Sequence, residues 1–411
     1  MSSGGKKDKS SGVLPDRSAI TDFLHSEATG GVALMIATGI ALIWANLGGS
    51  YFTFFHTELT LGFGPFAITE DLHHWINDAL MTLFFFVVAL EIKRELVTGE
   101  LRDRRAAALP VMASLGGVIL PALIFFTLIG TGEDARGWAI PVATDIAFAV
   151  GVLALLGNRI PTGVKVLLLT IAIVDDIIAI VVIAVFYSTD LSLLWLLVFA
   201  GGALSMIGLR AAGVVSVLPY IPLGVIAWFG MYESGVHATM AGVVIGLITP
   251  ARPFKGREVL DEVEHALHPF TSLLIVPLFA LANAGIIFDA TTMKDAVTSE
   301  LAVAIAAGLI FGKLLGIGGT ITLYVRLGLG SLPVGVRRAH VWGVAALGGI
   351  GFTVSLFIAQ LSYADPLTID VAKIGIFSGS FISAILGITL LLRANRRDRR
   401  SDGTSDGEPS R

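Results

Sequence analysis

Residues 164–187 read VKVLLLTIAIVDDIIAIVVIAVFY, an apolar run with two adjacent carboxylates, Asp175 and Asp176, near its middle. From Val166 to Tyr187 the only other non-apolar residue is Thr170. At a helical rise of ~1.5 Å per residue such a run crosses the ~30 Å apolar core of a bilayer. A carboxylate there costs at least ~2.5 kcal/mol on insertion scales. Two more ionisable residues lie deep in apolar runs: Asp145 in WAIPVATDIAFAVGVLALL and Lys313 in LAVAIAAGLIFGKLLGIGGTITLYV. Lys313 is too far from either end of its run to snorkel readily, so it needs an anionic partner from another segment. A single Lys–Asp pair could serve only as a clamp between helices. Three carboxylates against one ammonium leave surplus negative charge, which protons or a cation must neutralise. Oxygen ligands suit a small hard cation, and a carboxylate holding either a proton or that cation makes the two compete.

Adjacent helical residues point about 100° apart, so Asp175 and Asp176 cannot play one role symmetrically. One can face an aqueous cavity while the other turns to a neighbouring helix and Lys313. Pro141 lacks an N–H and obstructs the preceding turn, which predicts an interrupted helix just before Thr144 and Asp145, a simple kink being the plainer alternative. Gly348, Gly349 and Gly351 in HVWGVAALGGIGFTVSLFIAQL mark a second break or a close helix contact. Non-helical backbone at membrane depth is tolerated where it lines a cavity or is buried in protein.

The elements that must hold these groups are helices. The chain has 411 residues, 55% hydrophobic and 15% charged, with mean hydropathy +0.82. A soluble domain carries about 25% charged residues, so the composition points to an all-α polytopic membrane protein. Cysteine is absent, which excludes disulfides and thiolate metal sites. Apolar stretches at 28–47, 74–97, 106–129, 138–156, 163–187, 191–209, 217–232, 235–250, 268–288, 301–325, 339–361 and 370–392 predict twelve transmembrane helices. With both termini cytoplasmic, 24 of the 28 Lys and Arg fall on the cytoplasmic side and three, Arg136, Lys294 and Lys373, on the other, as the positive-inside rule requires. Residues 1–27 read as a disordered leader without a signal peptide, and 393–411 as a basic, solvated tail. The loop at 48–72 alternates apolar and polar residues around GFGP and could form a small extracytoplasmic β-hairpin or stay irregular. The two breaks fall in the middle helices of spans 3–5 and 10–12, which run in opposite directions: an inverted-topology repeat with two discontinuous helices crossing at mid-membrane.

Seven stretches in order resemble the NhaA family of sodium/proton antiporters: VVALEIKREL, PVATDIAFAVGVLALLGNRIP, IAIVDDIIAIVVIAVFY, YESGVHATMAGVVIG, EVEHALHPFTSLLIVPLFALANAG, FGKLLGI and GGIGFTVSLF. The resemblance spans roughly residues 25–392. It implies electrogenic export of Na+ or Li+ against H+ in a bacterial inner membrane, with no cofactor and no nucleic acid. It implies that Asp175 and Asp176 are the ion-binding and proton-carrying aspartates, with Asp176 the main sodium ligand and Asp175 the partner of Lys313. Thr144 and Asp145 then mark the crossing of extended segments, where Asp145 and Lys313 balance the half-helix dipoles. It further implies a pH sensor from Glu91, Arg94, Glu95, Glu264, His265 and His268, and a homodimer through the outer hairpin; ordinary solvated ion pairs are the plainer account of the first. His237 matches a family position but reads more simply as an interface histidine with a local hydrogen bond. Asp78, one turn inside Trp75, belongs to an ion funnel or points into interfacial water.

Two other classes fit less well. An intramembrane aspartyl protease would need a GxGD motif, which is missing, and Pro121-Ala122-Leu123 precedes both aspartate motifs instead of following them. A sodium-coupled symporter would need a site for an organic solute that the sequence does not offer. No GxxxxGK[ST] loop supports an ATP-driven pump.

Overall fold

The computed structural model describes residues 17–62, 67–188, 190–288 and 299–402. Helix α1 (Arg17–Asn46) and the short α2 (Ser50–Phe55) lead into β1 (Glu58–Leu61) and β2 (Ile68–Asp71). The strands pair antiparallel, Glu58 opposite Asp71 and Leu61 opposite Ile68, so residues 48–72 contain a hairpin. Three residues of its GFGP turn, 63–65, lie outside the described residues. Helices α3 (Leu72–Val97) and α4 (Arg104–Ile129) follow. A 3₁₀ arm, Glu133–Val142, then meets α5 (Ile146–Leu155), and α6 (Thr162–Phe186) carries the paired aspartates. Beyond it come α7 (Leu193–Ala211), α8 (Tyr220–Tyr232), α9 (Thr239–Ile248), α10 (Val259–Asn283) and α11 (Glu300–Arg326). The chain closes with α12 (Arg338–Leu347), α13 (Phe352–Ser362) and α14 (Pro366–Asp402).

Among the described residues eight helices are long and apolar enough to cross a membrane, or ten spans if each of two bent pairs counts as one. The expectation of twelve is met only in part. Helices α8 and α9 have 13 and 10 residues, so at ~1.5 Å per residue neither reaches across ~30 Å of hydrocarbon. The bent pairs fall where Pro141 and the glycine cluster predict breaks: the 3₁₀ arm with α5 at 42°, and α12 with α13 at 43°.

Three boundaries differ from the sequence expectation. Helix α1 starts at Arg17, so residues 17–27 are helical where a disordered leader was expected; residues 1–16 lie outside the described residues. Helix α14 runs on to Asp402, because no Gly or Pro interrupts 388–402 and Arg and Ala favour helix; the rest of the tail, 403–411, is also outside the described residues. Helix α10 begins at Val259, nine residues before the predicted span at 268, and continues through Pro269 by way of a π turn at Thr271–Ile275. Leu260 and Glu264, one helical turn apart, are buried, so REVLDEVEHALHP forms the first turns of a span, not a loop before it.

Burial is inverted relative to a water-soluble bundle. Val181, Val185, Leu197 and Leu204 are exposed, whereas Asp145, Asp175, Asp176 and Lys313 are buried. Helix α11 reaches the centre because Gly308, Gly312 and Gly316 present a small-residue face every fourth position. A Cβ on Gly312 would stand 2.6 Å from Pro121 Cα of α4, and one on Gly308 would stand 2.6 Å from Pro141 Cβ. Without a hydrophobic driving force in lipid, such close approach is what holds helices together. It brings Lys313, one position beyond Gly312, against both Thr144, in the break after the 3₁₀ arm, and α6.

Candidate functional site

At the first break, residues 143–145 leave the helix, and Asp145 becomes the N-cap of α5, its Oδ1 accepting from Phe148 N at 2.9 Å. Its other oxygen, Oδ2, accepts from Thr353 N at 2.9 Å and Thr353 Oγ1 at 2.6 Å, at the start of α13. Asp145 N donates to Ile350 O at 2.6 Å, so the two interrupted segments lie against each other through the backbone as well. Helix N-termini leave amide donors unpaired and carry about half a positive charge each. One carboxylate therefore satisfies two half-helix starts.

The opposite ends meet nearby. The 3₁₀ arm stops at Val142 and α12 stops at Leu347, each presenting carbonyl oxygens. Thr144 Oγ1 lies 2.8 Å from Gly348 O and 2.7 Å from Asp175 Oδ2. Lys313 Nζ donates to Asp175 Oδ2 at 2.6 Å and to Thr144 Oγ1 at 3.0 Å, with the Lys313 and Asp175 side chains fully buried. The positive charge thus sits beside the negative helix ends and a carboxylate together. Asp175 Oδ1 is buried and has no hydrogen-bond partner among the described residues.

The 100° step along α6 separates the paired aspartates as the helix period requires. Asp175 turns to Lys313, and Asp176 lines a cavity of about 50 Å³. Thr144, Asp145 and Thr353 border the same cavity, and so do Glu91 of α3 and His268 of α10. Asp175 does not line it. Among the described residues the Asp176 carboxylate has no hydrogen-bonding group assigned to it, so its oxygens are available to whatever occupies the cavity. A void holds a water once it offers ~10–15 Å³, so this one has room for a small cation with part of its hydration.

Four of the six predicted sensor residues converge. Arg94 is ion-paired with Glu264, and His268 Nε2 stands 3.7 Å from Glu91 Oε1. Two go elsewhere. Glu95 Oε2 accepts from Glu100 N at 3.0 Å, beyond the end of α3, and the exposed His265 contacts Asp261 O through Nδ1 at 2.7 Å. His237 has the expected local bond, Nδ1 to Thr239 Oγ1 at 2.8 Å, and its Nε2 also lies 3.5 Å from Asp78 Oδ1.

Sequence reasoning missed Thr353, Thr271 and Ser272 as cavity-lining groups. For Thr353 a signal existed: a short polar residue directly after a glycine break is placed to cap or line a helix start. Thr271 and Ser272 both donate to His268 O, and a π turn aims them inward; nothing in their spacing predicts that turn.

Two interrupted helices meeting at buried charges inside an apolar bundle define a polytopic membrane protein of the broken-helix transport class. The family model for Na+/H+ antiporter 1 matches residues 21–391. Na(+)/H(+) antiporter NhaA 2 of Erythrobacter litoralis (strain HTCC2594) is 47% identical over 379 residues, covering 91% of this chain and 94% of that protein. Na(+)/H(+) antiporter NhaA of Janthinobacterium sp. (strain Marseille) is 43% identical over 423 residues, covering 92% and 93%. Na(+)/H(+) antiporter NhaA 1 of Klebsiella pneumoniae subsp. pneumoniae is 45% identical over 384 residues, covering 92% and 97%. The chain belongs to the NhaA family of Na+/H+ antiporters, itself a standard example of inverted repeats with broken helices.

Proposed function

We infer that the chain exchanges Na+ for H+ electrogenically at a site centred on Asp176, with Thr144 and Asp145 as further oxygen ligands and Asp175 with Lys313 as the second titrating unit. Exchange of Na+ for H+ is the activity of the family to which the chain belongs. The observation that carries the residue assignment is the pairing of roles on α6: Asp175 is neutralised by Lys313, while Asp176 faces the cavity without a hydrogen-bonding partner among the described residues. A carboxylate in that position must be neutralised by a proton or by a cation, and not by both at once.

The cycle follows. Protons arrive from outside, the site turns inward, and cytoplasmic Na+ or Li+ displaces the proton from Asp176. A second proton belongs to the Asp175–Lys313 pair as a unit, since strongly coupled groups titrate together. Two protons in for one sodium out move one net positive charge inward. Each 100 mV of membrane potential then contributes ~2.3 kcal/mol to extrusion. No organic solute is needed, and the chain supplies no hydrolytic chemistry.

The topology proposed is the full twelve-span inverted repeat, in which the segments around α8 and α9, each crossing with the help of its apolar non-helical flanks, complete the eight long helices and two bent pairs. The Lys and Arg distribution supports cytoplasmic termini in a bacterial inner membrane. The exposed strand β1 supports a homodimer through the hairpin. A pH sensor built on Glu91, Arg94, Glu264 and His268 is supported by Glu91 and His268 lining the cavity that Asp176 lines, and by the Arg94–Glu264 ion pair one helical turn from His268.

The test is sodium-dependent proton flux in proteoliposomes without organic solute, native chain against Asp176→Asn. Native flux that Asp176→Asn abolishes supports the site; undiminished flux in Asp176→Asn refutes it. Sodium movement driven by membrane potential at zero pH gradient tests electrogenicity, and its absence refutes that part alone.

A further inference from the structure

At the foot of the hairpin, away from the broken helices, a second set of titratable side chains converges. Asp71 ends β2 and caps the first turn of α3. Its Oδ1 accepts from His74 N at 2.8 Å and lies 2.7 Å from His74 Nδ1, while Oδ2 lies 3.0 Å from His56 Nδ1. His73 Nε2 lies 3.0 Å from Asn283 Oδ1 of α10. The Asn283 amide nitrogen is committed to Asn77 Oδ1 and Phe279 O, at 2.8 and 2.9 Å, so Asn283 Oδ1 must accept and His73 Nε2 carries the hydrogen. That tautomer leaves a lone pair on His73 Nδ1, which the Asn77 amide approaches only at a long 3.4 Å.

One ligand atom from each of Asp71, His73 and His74 lies within 4.8 Å of the others, and among the described residues no other group of three such side chains does so. Two imidazole nitrogens and one carboxylate oxygen are the donor set of a divalent transition metal, zinc above all. Around Zn²⁺ at ~2.0–2.2 Å, tetrahedral donors stand about 3.4 Å apart, a contraction that side-chain rotations can supply. The His74 side chain is 57% exposed and that of Asp71 is 16% exposed, so an ion from the aqueous phase has access.

We propose that Asp71, His73 and His74 form a zinc-binding site that ties the hairpin to α3, with His56 holding the free oxygen of Asp71 in place. A metal-bound carboxylate oriented by an outer imidazole is a recurrent arrangement, and losing the outer partner costs 10–100-fold in affinity. The site lies on a different cluster from the exchange residues and does not depend on their assignment.

The experiment uses the untagged full-length chain in detergent, stripped with chelator and titrated calorimetrically with ZnCl₂, with MgCl₂ as the control. The expected result is one Zn²⁺ per chain and no Mg²⁺, with zinc affinity falling more than ~10-fold in His74→Gln and ~10-fold in His56→Gln. No zinc bound by the native chain, or native affinity in His74→Gln, overturns the proposal. Should the variants misfold, diethylpyrocarbonate labelling of the native chain decides. Zinc that shields His73 and His74 from modification upholds the site, and zinc that leaves both labelled overturns it.

Discussion

Lys313 Nζ stands 2.6 Å from Asp175 Oδ2, and neither side chain touches solvent. Removing one partner of a buried ion pair leaves an uncompensated charge, which costs about 3–5 kcal/mol, whereas removing both is often neutral. Lys313→Met is therefore expected to lower the melting temperature in detergent sharply, and Lys313→Met with Asp175→Asn to recover most of the loss. A double variant no more stable than Lys313→Met would show that the pair does not act as a unit.

Asp176, one residue along, has the opposite expectation. It faces the cavity with no hydrogen-bonding partner among the described residues, so Asp176→Asn removes a desolvated charge and breaks no contact. The variant is expected to be at least as stable as the native chain by thermal unfolding, while losing sodium-dependent proton flux. A destabilised Asp176→Asn would point to a structural task for this carboxylate.

Thr353 tests the junction of the two interrupted helices. Its hydroxyl donates to Asp145 Oδ2, a bond to a charged acceptor of the kind worth about 1.5–3 kcal/mol. Thr353→Val keeps the backbone N–H donor and loses the side-chain one. Its stability should fall by about that amount, and Asp145→Ala, which also uncaps α5, should fall further. Thermal or denaturant unfolding of the two variants side by side checks the order.

Helix packing gives a prediction away from charge. Gly312→Val would drive a branched side chain into Pro121 Cα and push α11 off α4, carrying Lys313 with it. Overpacking costs about 1–3 kcal/mol, and the displaced ammonium should also reduce transport. Gly319→Ala on the same helix meets nothing within 4 Å and should be silent in both assays.

The pair of half-buried Arg94 and buried Glu264 tests the sensor. Glu264→Gln removes the charge at near-constant volume, and the pH midpoint of transport should move by about 1 unit, the scale on which a neighbouring charge shifts a titrating group. Replacing exposed His265, whose ring bonds Asp261 O and acts on Glu264 only through its charge, should move that midpoint less than Glu264→Gln does. Measuring flux against pH for both variants separates a sensor from an ordinary solvated helix end.

The charged residues of the site were legible because burying charge in hydrocarbon is so costly that each one stands out against its run. The breaks were legible for a related reason: Pro141 and the glycines at 348, 349 and 351 change backbone options locally. The path of α10 was not, because Pro269 normally marks a boundary and a π turn absorbs it without leaving a periodic trace in TSLLI. The short lengths of α8 and α9 were hidden by apolar flanks that hydropathy alone joins to the helix. The destinations of Glu95 and His265 depend on which way a helix end rotates, and residue type says nothing about that.

The cavity that Asp176 lines is lined also by Glu91 and His268, and that has a consequence for the control proposed above. Under the proposed sensor, a charge gained on that wall would act on a cation held at Asp176 with no moving relay between them. Regulator and cargo would then feel each other as neighbours do in a crystal lattice, instantly and in both directions. Under that proposal, loading the site with sodium would shift the titration of the gatekeepers, just as titrating the gatekeepers would shift the loading.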